Sequence, residues 1–327
     1  MSAASRLVGT LAFNSEPPSP FCTQLPNKVY CQRMKPVLHS VSYAGVWQGQ
    51  AHLNMREFLA KAQQLEFPAV MLMAKRPHFS ALDYDLDACR KFKAELHSHG
   101  LHCAVVAGYN NFSADLEHGD VPHREMQIDH IGTLVKMAAT IGAPIVRIFT
   151  AYDHPSQNHH ALWSMTVKAI RECARRAAPH GVIIGVQNHH DLAAHYESQF
   201  DLIQEIGEPN CRAIFDAWAP ALHGTDLIAA ARKMAPITCH TTVADYQLRP
   251  RFKYQPDLVN YEPRPPYTQA VPMGEGFIDY RGFFTAMREG GFYGDVAYEM
   301  CSPLMGGGAI ENLDACARKF MTYFQSL

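Results

Sequence analysis

Short apolar runs alternate with longer amphipathic stretches from residue 36 to the end of the chain. The runs lie at 37–42, 68–73, 101–107, 144–149, 182–187, 211–216, 236–240 and 294–299. Helical patterns fill the spaces between and after them, near 55–65, 84–98, 124–142, 158–178, 196–206, 225–234, 278–289 and 309–325. Within 124–142, Ile131, Leu134, Val135, Ala138 and Ile141 recur at the spacing of one helix face, as do Leu313, Cys316, Phe320 and Phe324 in the last stretch. Gly100, Gly142 and Gly181 each follow a helical pattern and precede a strand, the place of a residue that closes a helix in the left-handed conformation. Strands alternating with helices are the signature of βα units around a parallel sheet. Eight of each predict an α/β chain folded as a (β/α)₈ TIM barrel. A doubly wound sheet would place a glycine-rich loop after its first strand, and Ser42-Tyr43-Ala44-Gly45-Val46-Trp47 is not one.

Length and composition refine this picture. A barrel needs about 250 residues, so 327 residues with 47% apolar content predict one barrel with additions. Residues 36–327 are expected to form the single catalytic domain. Residues 1–35 are expected to form an irregular extension that packs on the barrel or on a second subunit. Arg6–Phe13 is too short and polar for a signal peptide, and Pro17, Pro18 and Pro20 follow it instead of a small-residue cleavage site. The connection 241–277 is far longer than the usual two to six residues. It carries Tyr246, Phe252, Tyr254, Tyr261 and Tyr267, and predicts either a lid over the barrel mouth or an oligomer contact. A net charge of −2 provides no basic field for a phosphate backbone, so nucleic acid is not an expected partner. No apolar run reaches the roughly 18 residues of a membrane span. Nine cysteines without a CxxC pair read as reduced thiols of a cytoplasmic protein.

The candidate chemistry sits at the ends of four runs: Gln187, Asp216, His240 and Glu299. In a parallel barrel the carboxyl ends of all strands open on one rim, where side chains distant in sequence converge. Singly, each residue fits a core ion pair or a satisfied core histidine. Together they would bring two carboxylates into one buried place, for which a cation is the natural compensation. An amide, an imidazole and two carboxylates predict one divalent ion, Mn²⁺ first, with Mg²⁺, Co²⁺ or Zn²⁺ as alternatives. His189, His190, Trp218 and His223 follow these ends and are candidates for binding substrate hydroxyls. Lys75 and His78 follow the second strand and are candidates for holding a carbonyl or hydroxyl; exposed-loop roles are their alternative. His154, just after the fourth strand, is the candidate second proton carrier beside Glu299. Gly306-Gly307-Gly308 reads as a tight turn rather than an anion cradle.

Val186-Gln187-Asn188-His189-His190, Pro209-Asn210-Cys211 leading into Ile214-Phe215-Asp216, Thr238-Cys239-His240 and Tyr298-Glu299 resemble the xylose isomerase-like TIM-barrel superfamily of sugar isomerases and epimerases. The 29-residue separation of Gln187 and Asp216 matches that family's spacing. The resemblance implies one divalent metal held by Glu, Asp, His and Glu from the last four strands, hence by Gln187, Asp216, His240 and Glu299 here. It implies abstraction of the proton α to a sugar carbonyl through a metal-stabilised enediolate, in a homo-oligomer with or without a small accessory subunit. Gln187 stands where the family has its first glutamate, and an amide cannot take a proton. Two-base epimerisation is thereby put in question. The alternative is single-base β-elimination of a 3-keto-glycoside, as in the family's deglycosidase-like members. AP-endonuclease-like chemistry lacks the basic groove it needs, and a noncatalytic sugar-binding barrel is the remaining reading.

Overall fold

The computed structural model describes residues 34–116, 119–153, 155 and 157–327. Except for Met34 and Lys35, the expected extension 1–35 therefore lies outside the described residues. Eight parallel strands close a barrel: β1 (Pro36–His39), β2 (Ala69–Met73), β3 (His102–Ala107), β4 (Ile145–Ile148), β5 (Ile183–Gln187), β6 (Cys211–Ile214), β7 (Thr238–Val243) and β10 (Asp295–Tyr298), neighbours in chain order with β10 paired to β1. A helix covers each step: α1 (Met55–Gln64), α2 (Leu86–Ser98), α3 (His123–Ile141), α4 (His159–Ala177), α5 (Tyr196–Ile206), the short α6 (Trp218–Leu222) with α7 (Leu227–Met234), α8 (Tyr280–Glu289) and α9 (Ile310–Gln325).

Local chemistry explains the boundaries. Asn54 and Glu57 form a reciprocal capping box at the start of α1, and Asp85, Asn158, Asp226 and Asp279 cap α2, α4, α7 and α8 through their side chains. Gly142 and Gly181 adopt positive φ where the chain leaves its helix. Every residue of the predicted α3 stripe is buried. Alternate strand residues point inward, so Val37, Ala69, Met71, Val105, Ala107, Ile145, Ile214 and Ala297 fill the barrel interior. The outward set packs against the helices in one continuous core.

Two differences from the sequence expectations matter. Strand β7 runs to Val243, three residues beyond the predicted end, because Thr241, Thr242 and Val243 are β-branched and continue the pleat. The connection that follows is no irregular loop. It forms an antiparallel hairpin of β8 (Asp245–Gln255) and β9 (Asn260–Val271), closed by the turn at Pro256–Leu258. Asp245 anchors its base by accepting from the backbone N–H groups of Gly274 and Gly276, each at 2.9 Å. The tip carries Phe252, Tyr254 and Tyr261 at 62%, 48% and 65% exposure, with Tyr254 facing Tyr261 across the strands.

None of these tip aromatics lines the barrel mouth, whereas Tyr246 at the hairpin base does. Replacing residues 250–266 with a two-residue turn should leave KM and kcat within about twofold, since surface changes away from special features are usually neutral. The variant's mass by light scattering then reports whether the arm joins copies of the chain. A selective rise in KM would instead restore the lid.

Candidate active site at the mouth of the barrel

The inward positions nearest the mouth are polar, and they are wired together. Gln187 ends β5, Thr242 sits on β7, and Asp216 and Glu299 follow β6 and β10. Arg147 faces inward from β4, between the small register partners Ala107 and Gly185, and is only 1% exposed. Its Nη1 donates to Gln187 Oε1 at 2.7 Å. The Gln187 amide then donates through Nε2 to Asp216 Oδ2 at 2.5 Å and to Thr242 Oγ1 at 3.1 Å. With a cation on one side and a carboxylate on the other, only this orientation of the amide satisfies both. Thr242 adds two donors to Asp216, its N–H to Oδ1 and its Oγ1 to Oδ2, both at 2.6 Å. The Asn188 side chain pins the Asp216 backbone, accepting from its N–H at 2.7 Å and donating to its carbonyl at 2.9 Å.

Aromatic rings hold the guanidinium. The Arg147 Cζ lies 4.7 Å from the Tyr109 ring centroid and 4.2 Å from that of Phe149. Phe149 also stacks on His189, with centroids 4.1 Å apart, and His189 lies against His190. Burial raises the pKa of both mouth carboxylates above the ordinary carboxylate range. Hydrogen bonds from Thr242 and Gln187 oppose that rise at Asp216, and Arg147 opposes it at Glu299. Asp216 already accepts three short bonds. Glu299 reaches the cavity with His39 Nε2 at 3.9 Å as its nearest charged-capable partner, so it is the carboxylate better placed to take a proton from a guest.

A cavity of about 340 Å³ opens over this cluster. It gathers Gln187, Asp216, Glu299, His189, His190, Trp218 and His223 from the predicted set, with Thr242, Tyr246 and Ser302 beside them. Trp218 and Tyr246 form one wall, their ring centroids 3.9 Å apart. Three predicted residues stand elsewhere. His240 is fully buried and aligned with Ile214 and Asp295, two residues below Thr242 and so about 7 Å deeper in the barrel. His78 is buried against Phe58, with its Nε2 hydrogen-bonded to the Leu53 carbonyl at 3.0 Å, a structural position. Lys75 extends over the Tyr109 ring at 4.1 Å, outside the cavity lining. His154 lies outside the described residues.

Residues 59–318 match the sequence profile of the xylose isomerase-like TIM barrel. The chain belongs to that family. Solved structures of the same fold include the D-psicose 3-epimerase of Clostridium cellulolyticum H10, 15% identical with a TM-score of 0.70 over 90% of this chain and 99% of the other. They include the probable 3-DHS dehydratase AsbF of Bacillus anthracis, 17% identical with a TM-score of 0.67 over 88% and 99%. The IolI protein, solved with a bound zinc atom, is 15% identical with a TM-score of 0.67 over 89% and 98%. No curated protein sequence matches the chain.

In this xylose isomerase-like barrel the expected donor set does not fit a divalent ion. The Gln187 oxygen that would ligate accepts from the Arg147 cation, and its amide nitrogen faces Asp216. The mouth-level position on β7 is Thr242 rather than His240, and among the described residues no three His, Cys, Asp or Glu side chains converge as a metal site. Arg147 and Thr242, like Ser302 and Tyr109, have no counterpart in the sequence expectations. The signal for Arg147 was present: a lone cation inside Ile145-Val146-Arg147-Ile148, at the inward parity of a buried strand.

His240 now carries a different consequence. Burial first, then the Arg147 charge, holds its pKa down to about 3, and His189 is lowered to about 3 by burial, His190 and Arg147. Such histidines are neutral when folded and bind protons when unfolded. Their stabilisation is therefore complete above the unfolded value near 6.5 and is lost as pH falls toward the folded values. Each adds up to about 1.4 kcal/mol of lost stability per pH unit in that window. Urea unfolding at pH 7 and pH 5 should show this loss, and His240→Met should reduce it by one histidine's share. An unchanged slope in the variant would contradict the assignment.

Proposed function

We propose that the chain is an enzyme that removes the proton α to the carbonyl of a sugar-like substrate, with Glu299 as its single base. The observation that carries this reading is the asymmetry of the mouth. Both cavity-lining carboxylates are raised in pKa by burial, but Asp216 is held by three short hydrogen bonds, which leaves Glu299, and Gln187 is a neutral amide with both ends engaged by Arg147 and Asp216. A base whose pKa is raised toward the working pH is the effective one, and an amide takes no proton. The Trp218–Tyr246 wall suits the apolar face of a sugar ring, and His190, His223 and Ser302 offer hydrogen-bonding groups for its hydroxyls.

One-base chemistry favours β-elimination, as from a 3-keto-glycoside, over two-base epimerisation. The Cα–H electron pair forms the new double bond as its proton passes to Glu299. The β C–O bond breaks and the leaving oxygen takes a proton from an imidazole. His190, exposed at the cavity and 3.3 Å from Tyr152 Oη, is the described histidine placed for that transfer. AsbF, of the same fold, is a probable dehydratase, and dehydration is an elimination of this type. One-base isomerisation of a ketose is the second chemistry the site permits. All seven described cysteines are free thiols, in keeping with the cytoplasm as the compartment of this enzyme.

The reading is tested by incubating the protein with ketoses and 3-keto-glycosides in D₂O and following exchange by NMR. Deuterium should enter at one position and from one face only. Glu299→Gln should slow exchange by about 10²- to 10⁴-fold, the usual contribution of a general base, with substrate binding retained. Exchange from both faces, or exchange indifferent to the variant, would remove Glu299 from the role. The rate of the wild type should also fall with pH as the raised Glu299 carboxyl becomes protonated.

A further inference from the structure

We infer that the guanidinium of Arg147 is the permanent cation of this site, standing where a divalent ion would bind, so that the protein takes no metal at its mouth. The inference rests on placement. Arg147 Nη1 donates to the one Gln187 oxygen able to ligate and sets a positive charge beside it, and Gln187 in turn points its N–H₂, which cannot ligate, at Asp216. Thr242, reaching Asp216 from β7 at 2.6 Å through both its backbone and its hydroxyl, fills the position from which an imidazole would complete a metal site. Asp216 is thus neutralised by donors from the chain itself. The Tyr109 and Phe149 rings lie against the guanidinium, 4.7 Å and 4.2 Å from its carbon. A second cation seated among Asp216, Glu299 and Gln187 would lie against this buried charge, with only two carboxylates to compensate both.

Arg147 has two further buried donors. Its Nε and Nη2 are buried without a protein partner, as is His39 Nε2 beside Glu299. A buried charged donor left unpaired is costly, and the positive charge it carries is only weakly screened. From beneath the cavity the guanidinium therefore supplies, through space, what the reaction proposed above requires, positive charge near the oxygen of the enediolate that forms when Glu299 takes its proton. This catalytic part rests on the proton-abstraction reading; the exclusion of metal does not.

The test is metal binding, read without any substrate. Wild-type protein titrated calorimetrically with Mn²⁺ and with Zn²⁺ should show no stoichiometric site at the mouth. A single ion in the wild type that disappears in Asp216→Asn would overturn the inference. The converse is a construction. Gln187→Glu with Thr242→His restores a carboxylate and an imidazole but keeps the guanidinium, and should bind Mn²⁺ weakly. Adding Arg147→Ala should tighten binding by more than about 100-fold, because even contacts one shell out from a metal shift affinity 10- to 100-fold. Circular dichroism establishes that the variants are folded, and the wild-type titration decides the matter independently of them. Equal affinity of folded double and triple variants would show that Arg147 is not what excludes the ion. If an activity is found, its survival in EDTA and its partial recovery by free guanidinium ion in Arg147→Ala support the catalytic part, and loss of wild-type turnover in EDTA defeats it.

Discussion

A positive charge buried in a barrel interior has to be compensated, and that requirement organises the mouth of this protein. Arg147 is almost fully buried, and removing a charge from water costs several kcal/mol unless partners replace the solvent. Gln187 accepts from it, the Tyr109 and Phe149 rings cover its faces, and Asp216 and Glu299 supply the opposite charge nearby. Each partner is set by its own strand. The chain Arg147–Gln187–Asp216–Thr242 ties β4, β5, the loop after β6 and β7 into one hydrogen-bonded arc. The remaining carboxylate, Glu299, is left to face the cavity from the end of β10.

This arrangement narrows the chemistry. Asp216 spends its acceptor capacity on the arc, so it serves as counter-charge and not as a base. Gln187 relays orientation between a cation and an anion without titrating. On the function proposed, the site accordingly holds one group to gain and lose a proton at the reacting carbon and one fixed cation. The Trp218–Tyr246 wall and His189, backed by Phe149, set the shape of what enters.

The alternation of apolar runs with amphipathic stretches was enough to read the barrel, because strand parity and helix period are local properties of the chain. The cavity-facing places of Gln187, Asp216 and Glu299 were legible for the same reason: each stands at or just past the end of a short apolar run. His240 was misplaced because Thr241, Thr242 and Val243 carry strand β7 past it, and a period-two register moves the mouth-level position by two residues. Arg147 was visible in the sequence as a cation in an apolar strand, but its meaning depends on Gln187, forty residues away and joined to it only by the register of β4 and β5. The hairpin of β8 and β9 was seen as length and aromatic content. Its strand pairing was hidden by prolines at 250, 263, 265 and 266, which edge strands tolerate.

The inferred holder of charge at this mouth is a guanidinium and not a metal ion. Crystals grown or soaked in Mn²⁺ and measured at a wavelength with strong manganese anomalous signal would show this directly. No anomalous peak is then expected among Gln187, Asp216 and Glu299, with Arg147 Nη1 still on the Gln187 amide oxygen. A peak coordinated by Asp216 and Glu299, with Arg147 turned away, would contradict it.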